Sequence, residues 1–366
     1  MTILIFNWRD ITHPYAGGAE VYLHEMARRW VKRGHIVGWL CAGYNKARKQ
    51  ETIDGIRIMR TGGEFGVYLF AALHYLLRLR SKYDVVIDAE NGIPFFTPLY
   101  VSVPKLLLIH HIHREVFFKE LRFPLSWVAY FLESKLMPLM YRKIRCVTVS
   151  KSSKDQIKEL RLGGDQIAII HNGVDSTKYV PGRKSPHPLI VYIGRLRGYK
   201  SIDVLIYAMR EITKRVPEVE LVIGGSGPKQ EAWERLTKKL ELDQKVKFYG
   251  YVAEREKIEI FQKAWVFVNP SFIEGWGVTS IEANACGTPV IASNVPGLRD
   301  SVQDGKTGFL FEYGNVDGLV GKLVEILKDE ALRTKLGKNG LNWARNFSWD
   351  KSADEGLEVL EKIFRR

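Results

Sequence analysis

A chain of 366 residues with 46% hydrophobic and 26% charged side chains can bury the cores of two ordinary domains, which excludes disordered, collagen-like and coiled-coil proteins. Its net charge of +14 is uneven: 26 basic against 16 acidic residues through Lys178 give +10, and the remaining 29 against 25 give +4. A basic first half favours an acidic partner, either a phosphorylated ligand or an anionic membrane surface; without an RNP-like motif, zinc-finger spacing or a regular basic helix, nucleic acid is not expected.

Short apolar runs alternate with amphipathic stretches along the chain. Thr2 to Phe6 reads as a strand; the apolar run is too short, and lacks the basic leader, for a signal peptide. Ala19 to Arg33 reads as a helix, His35 to Cys41 as a strand, Tyr68 to Arg80 as a helix, and Val85 to Asp88 and Leu106 to Ile109 as strands. Ser126 to Arg142 is helical in pattern and Cys146 to Val149 a strand. The pattern resumes with strands at Pro188 to Ile193, Glu220 to Ile223, Val246 to Tyr249, Val266 to Val268 and Pro289 to Ala292, with helices between. Strands alternating with helices imply βαβ units, so the fold class is α/β with two Rossmann-like, doubly wound domains. Tyr179 to Pro188 carries three prolines in ten residues and reads as the hinge, which puts the domains at 1–178 and 179–347.

Cys41, Cys146 and Cys286 are far apart and form no CxxC pair, which predicts neither disulfide framework nor zinc site and points to a reducing compartment, the cytoplasm. No apolar run is long enough to span a membrane. Phe123 to Tyr141, with Phe117, Phe118, Lys119 and Arg122, reads as an apolar surface edged with base that could lie on an anionic bilayer at the inner face of the membrane.

The segment from Asn269 to Ile291 is the most informative. Gly275 and Gly277 let backbone approach a ligand closely, and the amides of Gly277, Val278 and Thr279 open a helix, a ready anion site. Glu274 precedes that helix, and Glu282 lies inside the apolar Ile281 to Ala285 run, where a solvated carboxylate is not expected. Two carboxylates so placed can grip hydroxyls at two ends of one ligand while amides hold phosphate between them.

This E-x7-E pattern, with Glu274-Gly-Trp-Gly277 and Ala283 to Ile291 around it, resembles the retaining glycosyltransferases of family 4, which have the GT-B fold. Gly17-Gly18-Ala-Glu20, His171-Asn172-Gly-Val-Asp175 and Gly194-Arg195 to Lys200 match the same family in order, so the resemblance spans nearly the whole chain. It implies two domains facing across a cleft, with the C-terminal helix (348–366) packed back on the first. It also implies hexosyl transfer from a nucleotide-diphospho-sugar, UDP- or GDP-linked, to a glycan or lipid-linked acceptor hydroxyl, with retention.

By that resemblance Arg195 and Lys200 grip the diphosphate, Glu274 contacts the donor sugar and Glu282 holds the ribose. Gly225 and Val252 border the nucleotide, Gly17 and Gly18 approach the diphosphate from the first domain, and Asn172 closes that domain. His110 takes the place of a histidine near the sugar's C6 hydroxyl, while His111 replaces the aspartate usual beside it, a gap that Asp88 or Glu90 could fill. Three histidines at 110, 111 and 113 make a poor zinc site, and the chain has no D-x-D motif, so no metal and no cofactor is expected. No residue stands out as a nucleophile, which favours attack from the leaving-group side. The alternatives are a GT-B epimerase, which needs further acids in the first domain, and a non-catalytic nucleotide-sugar module, which would lack Arg195, Lys200 or Glu274. A nicotinamide dehydrogenase is disfavoured because neither domain opens with GxGxxG.

Overall fold

The computed structural model describes residues 1–164 and 166–365. Two compact units form, Met1–Gly173 with the C-terminal segment from Trp349, and Val174–Ser348.

Unit 1 holds the strands β1 (Thr2–Phe6), β2 (Ile36–Ala42), β3 (Gln50–Ile53), β4 (Ile56–Thr61), β5 (Val85–Glu90), β6 (Lys105–Ile109), β7 (Arg145–Thr148) and β8 (Ile167–Ile169). They form one sheet in the order β3-β4-β2-β1-β5-β6-β7-β8, parallel except for the β3–β4 hairpin. Asp54 and Gly55, at φ +49° and +81°, make its tight turn, the geometry that Asp-Gly favours. Phe6, Asp88 and Leu107 are in register and share one face of the sheet. That face is covered by the helix Val67–His74 with its π-helical continuation Tyr75–Leu79, and by the helices Leu125–Phe131 and Met137–Tyr141, joined by a π-helical turn, Leu132–Leu136. The opposite face packs on the helices Gly18–Lys32 and Trp349–Phe364. Trp30 donates its indole N–H to Ala353 O at 2.9 Å, and a Cβ on Gly356 would lie 2.9 Å from the Trp30 ring.

Unit 2 holds β9 (Leu189–Ile193), β10 (Glu220–Gly224), β11 (Val246–Gly250), β12 (Val266–Asn269), β13 (Val290–Ser293) and β14 (Gly308–Phe311), in the order β11-β10-β9-β12-β13-β14. All these pairings are parallel, and apolar faces of the intervening helices bury Leu205, Met209, Leu319 and Leu323 against the sheet. The strand order reverses at β9, whose neighbours are β10 and β12. In open parallel sheets the crevice beyond the carboxyl ends at such a reversal is where ligands bind.

The division falls at Gly173/Val174, ahead of the proline-rich segment expected to be the hinge. Residues 179–188 instead form a strap tied down within unit 2. Gln262 donates to Val180 O, Lys184 to Thr288 Oγ1 and the Trp265 indole to Ser185 O, at 2.6–2.9 Å. Three prolines leave this strap short of backbone donors, and two of the three ties come from side chains of neighbouring elements. Among the described residues, no helix is long and apolar enough to cross a membrane.

Candidate active site

The loops after β9 and β12 meet at the reversal in unit 2. Phe272 N donates to Tyr199 O at 2.7 Å, which locks one loop to the other. The Lys200 ammonium ion-pairs with Glu274 Oε1, and their side chains are only 12% and 16% exposed. Burial alone would lower the Lys200 pKa, but the Glu274 carboxylate outweighs it and holds the ammonium above its ordinary value. Ser271 Oγ lies 3.1 Å from Glu274 Oε1 and 2.6 Å from Asn269 Oδ1, so the strand end orients the carboxylate. Arg195 is exposed at the rim, with Nη2 donating to the Tyr199 hydroxyl at 2.9 Å. Two cations and one acid therefore stand at the end of the central strand pair.

Gly277 has φ +78°, and a Cβ there would lie 2.6 Å from Leu298 Cδ2. Only glycine suits that turn, which opens the helix Val278–Ala285 and leaves the first-turn amides of Val278 and Thr279 at its start. Glu282 is 8% exposed on this helix. Its Oε1 accepts from the Tyr179 hydroxyl at 3.0 Å and from Lys257 Nζ at 2.7 Å, while its Oε2 is buried with no partner. A buried carboxylate oxygen left open in this way is set to accept from a ligand hydroxyl.

Gly225 has φ +128°, and a Cβ there would lie 1.8 Å from Gly194 O. It is the point where the backbone beyond β10 crosses the backbone beyond β9. Val252 packs beside it; a Cβ on Gly224 would meet Val252 Cγ2 at 2.8 Å.

Unit 1 holds the other expected residues. Gly17 caps the helix Gly18–Lys32, and its N–H donates to Glu20 Oε2 at 2.7 Å, the physical role of the Gly-Gly-Ala-Glu run. Both glycines stand beyond the carboxyl end of β1, at that sheet's own reversal between β2 and β5. Asn172 is buried, 3% exposed. His110, at the end of β6, is 9% exposed and its Nε2 has no partner. Burial and then the neighbouring His113 push its pKa down to about 4, so the imidazole is neutral at pH 7 and can donate or accept one hydrogen bond.

Asp88 does not fill the gap beside His110. It accepts from the Phe95 and Thr97 amides and from the Thr97 and Tyr141 hydroxyls, so it is a hub of the fold. Glu90 stands elsewhere, in a buried group with His113 and Glu133 whose ligand-capable atoms lie within 4.8 Å of one another. One imidazole and two carboxylates form a donor set able to hold a divalent ion. Glu133 also accepts from the His113 and Arg114 amides at 2.6 and 2.8 Å, a loop-holding role. Its position in the sequence reads only as a charge interrupting an apolar helix. Phe117, expected on the apolar surface, is buried and stacked on His113 at 5.5 Å. Tyr179, Lys257 and Ser271 are contributors that sequence reasoning misses: Tyr179 sits in the supposed hinge and Lys257 on a helix, Glu254–Lys263, that reads as a solvated face.

Residues 16–178 match the model of Glycosyltransferase Family 4, and residues 175–343 that of Glycosyl transferases group 1. An uncharacterized glycosyltransferase of Methanocaldococcus jannaschii is 25% identical across 99% of this chain and 98% of its own length. The D-inositol 3-phosphate glycosyltransferase of Corynebacterium aurimucosum is 29% identical over 60% of this chain, a match that spans 56% of that relative. That match thus spans a little over half the length of this inositol-phosphate relative. Among solved structures, HepE of Anabaena, in complex with UDP and glucose, superposes with a TM-score of 0.79 at 19% identity, covering 99% of this chain and 100% of the other. The paired ions at the sheet reversal, the glycine-opened helix and these matches across both halves lead to one assignment: the chain belongs to the family 4, or group 1, glycosyltransferases of GT-B fold.

Proposed function

We propose that this glycosyltransferase moves a hexose from a UDP- or GDP-linked sugar to a hydroxyl of a glycan or lipid-linked acceptor, with retention and with neither metal nor resident cofactor. The observation that carries the reading is the buried Lys200–Glu274 pair at the β9–β12 reversal, with the open Oε2 of Glu282 on the helix that follows. In the free site the ammonium and the carboxylate neutralise one another. A donor that offers a diphosphate to Lys200 and Arg195, and sugar hydroxyls to Glu274, replaces that pair with two complementary contacts. The departing diphosphate gains charge as the bond breaks, so the cations bind the transition state more tightly than the ground state. The amides of Gly277, Val278 and Thr279 supply further donors, and Glu282 takes the ribose hydroxyls. HepE, a fold neighbour, was solved with UDP and glucose, which supports trying uridine donors first. With no evident nucleophile, attack from the leaving-group side, the diphosphate accepting the acceptor's proton, is the favoured course.

Unit 1 supports an acceptor presented at an anionic membrane on its cytoplasmic side. Phe123, Trp127, Phe131 and Leu139 are 80%, 58%, 57% and 75% exposed, and Lys119, Arg122, Arg142 and Lys143 lie on the same stretch of chain.

Thermal-shift titration with UDP, GDP, ADP and their sugars tests the donor reading. A ligand at 100 times its dissociation constant stabilises by about 2.7 kcal/mol. No shift with any nucleotide sugar refutes it, and loss of turnover in EDTA with recovery on manganese refutes the metal-free course.

A further inference from the structure

Unit 1 has a cavity that the donor reading leaves unused. It lies beyond the carboxyl ends of β2 and β4 and has a volume of about 690 Å³. Lys49, Arg60, His74 and Arg78 line it, and no Asp or Glu does. Arg60 is committed from behind: it donates to Asp10 Oδ2 at 2.7 Å, to Glu51 Oε1 at 2.5 Å and to Thr12 Oγ1 at 2.9 Å, with its side chain 1% exposed. It is a fixed floor whose single charge is already outnumbered by the two carboxylates, so the cations left open to a ligand are Lys49 and Arg78. Lys49 and Arg78 are exposed, and among the described residues neither has an acidic partner. The charged neighbours that act on His74 are Arg78, Arg57 and Lys82, all cations. Tyr44 and Thr61 add hydroxyls to the walls. Such a set suits an anion that offers several oxygens at once, since Arg supplies a fork and Lys a point charge.

The remaining wall is helical. Phe70, His74 and Arg78, spaced four apart, face the cavity from the helix Val67–His74 and its continuation to Leu79, while Val67, Ala71, Tyr75 and Leu79 fill the core. The outer stripe is apolar: Leu69, Leu73, Leu76 and Leu77 are 62%, 42%, 42% and 79% exposed. A cation-lined cavity beside an exposed leucine stripe matches a ligand with an anionic head and an apolar body.

We infer that this cavity binds a phosphate ester, its oxygens between Lys49 and Arg78 over the Arg60 floor, with any acyl or prenyl portion lying along the leucine stripe. The inference does not rest on the donor reading, because nucleotide binding in unit 2 uses none of these residues.

The full chain is titrated with sn-glycerol 3-phosphate and, separately, with vesicles of phosphatidylglycerol or of phosphatidylcholine. Lys49→Glu with Arg78→Glu is expected to weaken binding of the phosphate ester at least about tenfold, while nucleoside diphosphate affinity stays at the wild-type value. The milder Lys49→Gln with Arg78→Gln, both at exposed positions, gives the same direction should charge reversal disturb folding. Leu73→Ser with Leu77→Ser separates the sources. Loss of phosphatidylglycerol vesicles with glycerol phosphate retained identifies a lipid headgroup; glycerol phosphate bound with no preference for anionic vesicles identifies a soluble ester. If the wild type binds neither probe, or if removing both cations leaves both affinities unchanged, the inference is overturned.

Discussion

Replacing Glu282 by Gln isolates one carboxylate oxygen. In the free protein Oε1 is already occupied by Tyr179 and Lys257, at 3.0 and 2.7 Å, and Oε2 is buried without a partner. Glutamine keeps the shape and can still present an acceptor to Tyr179 and Lys257, but its amide nitrogen cannot accept from a ligand hydroxyl. Hydrogen bonds to a charged partner contribute about 1.5–3 kcal/mol, so the dissociation constant of the nucleoside diphosphate is expected to rise by roughly 10- to 150-fold. Isothermal titration measures this directly, and the thermal midpoint of the free protein checks that the fold is intact. A second ligand sharpens the test: a 2′,3′-dideoxy nucleoside diphosphate lacks the hydroxyls Glu282 is proposed to hold. It should bind the wild type weakly and lose almost nothing further in Glu282→Gln, the signature of two changes removing one interaction. Affinity within threefold of wild type, or losses that simply add, would refute the assignment of Glu282 to the ribose.

Lys200→Ala is expected to lower turnover more than donor affinity, because its contact strengthens as the diphosphate departs; turnover equal to wild type in a steady-state assay contradicts the clamp. Gly225→Ala places a Cβ 1.8 Å from Gly194 O at φ +128°, and strain plus backbone overlap is expected to cost at least about 3 kcal/mol in urea unfolding. Unfolding at the wild-type midpoint would show that the two strand-end loops part easily. Burial pushes the Glu90 pKa up from 4.5 to about 8, so the folded state holds that proton more tightly than the unfolded chain. The stabilisation it brings is therefore complete below the unfolded value and is lost as pH rises through about 8; in Glu90→Gln this slope should vanish, and the same slope in both proteins would place its origin elsewhere.

The parts of the fold that could be read in advance are those with long apolar runs. The inner strands β1, β2, β5, β6, β9 and β12 are buried along nearly their whole length and so appear as near-continuous hydrophobic stretches. The edge strands of unit 1 do not. β3 is Gln-Glu-Thr-Ile with no buried position, and β8 has three residues, so neither carries a pattern that outweighs a loop. The β3–β4 turn does carry a local signal, Asp54-Gly55, but β3 on one side of it offers no apolar run to pair with β4. Within the candidate site, Glu274, Gly277 and Glu282 lie within nine positions of sequence, so one local pattern can group them. The groups that complete them are brought in by tertiary structure: Tyr179 is 103 positions from Glu282 and Lys257 is 25. No local pattern marks a lysine on an amphipathic helix as the partner of a buried acid. Glu133 shows the same limit in reverse, since a charge inside an apolar helix reads as an interruption until its two backbone donors are seen.

The two units use one topology for opposite electrostatic ends. At its reversal unit 2 gathers formal charges, and it keeps them affordable by pairing them: Lys200 with Glu274, Lys257 with Glu282. A buried ion pair left unbroken is cheap to maintain compared with either charge alone, and it is broken favourably only by something that satisfies both members. Phosphate without hydroxyls would occupy Lys200 and strand Glu274; hydroxyls without phosphate would do the reverse. On the proposed reading, selectivity for a ligand that is both phosphorylated and polyhydroxylated thus follows from the pairing itself. Unit 1 brings to the end of β6 a neutral imidazole instead, His110, held uncharged by burial and by its neighbour His113. A neutral imidazole can donate or accept a hydrogen bond without bringing a formal charge to the end of that strand. On the proposed reading, the charge that develops as the diphosphate departs is met by Lys200 and Arg195 within unit 2.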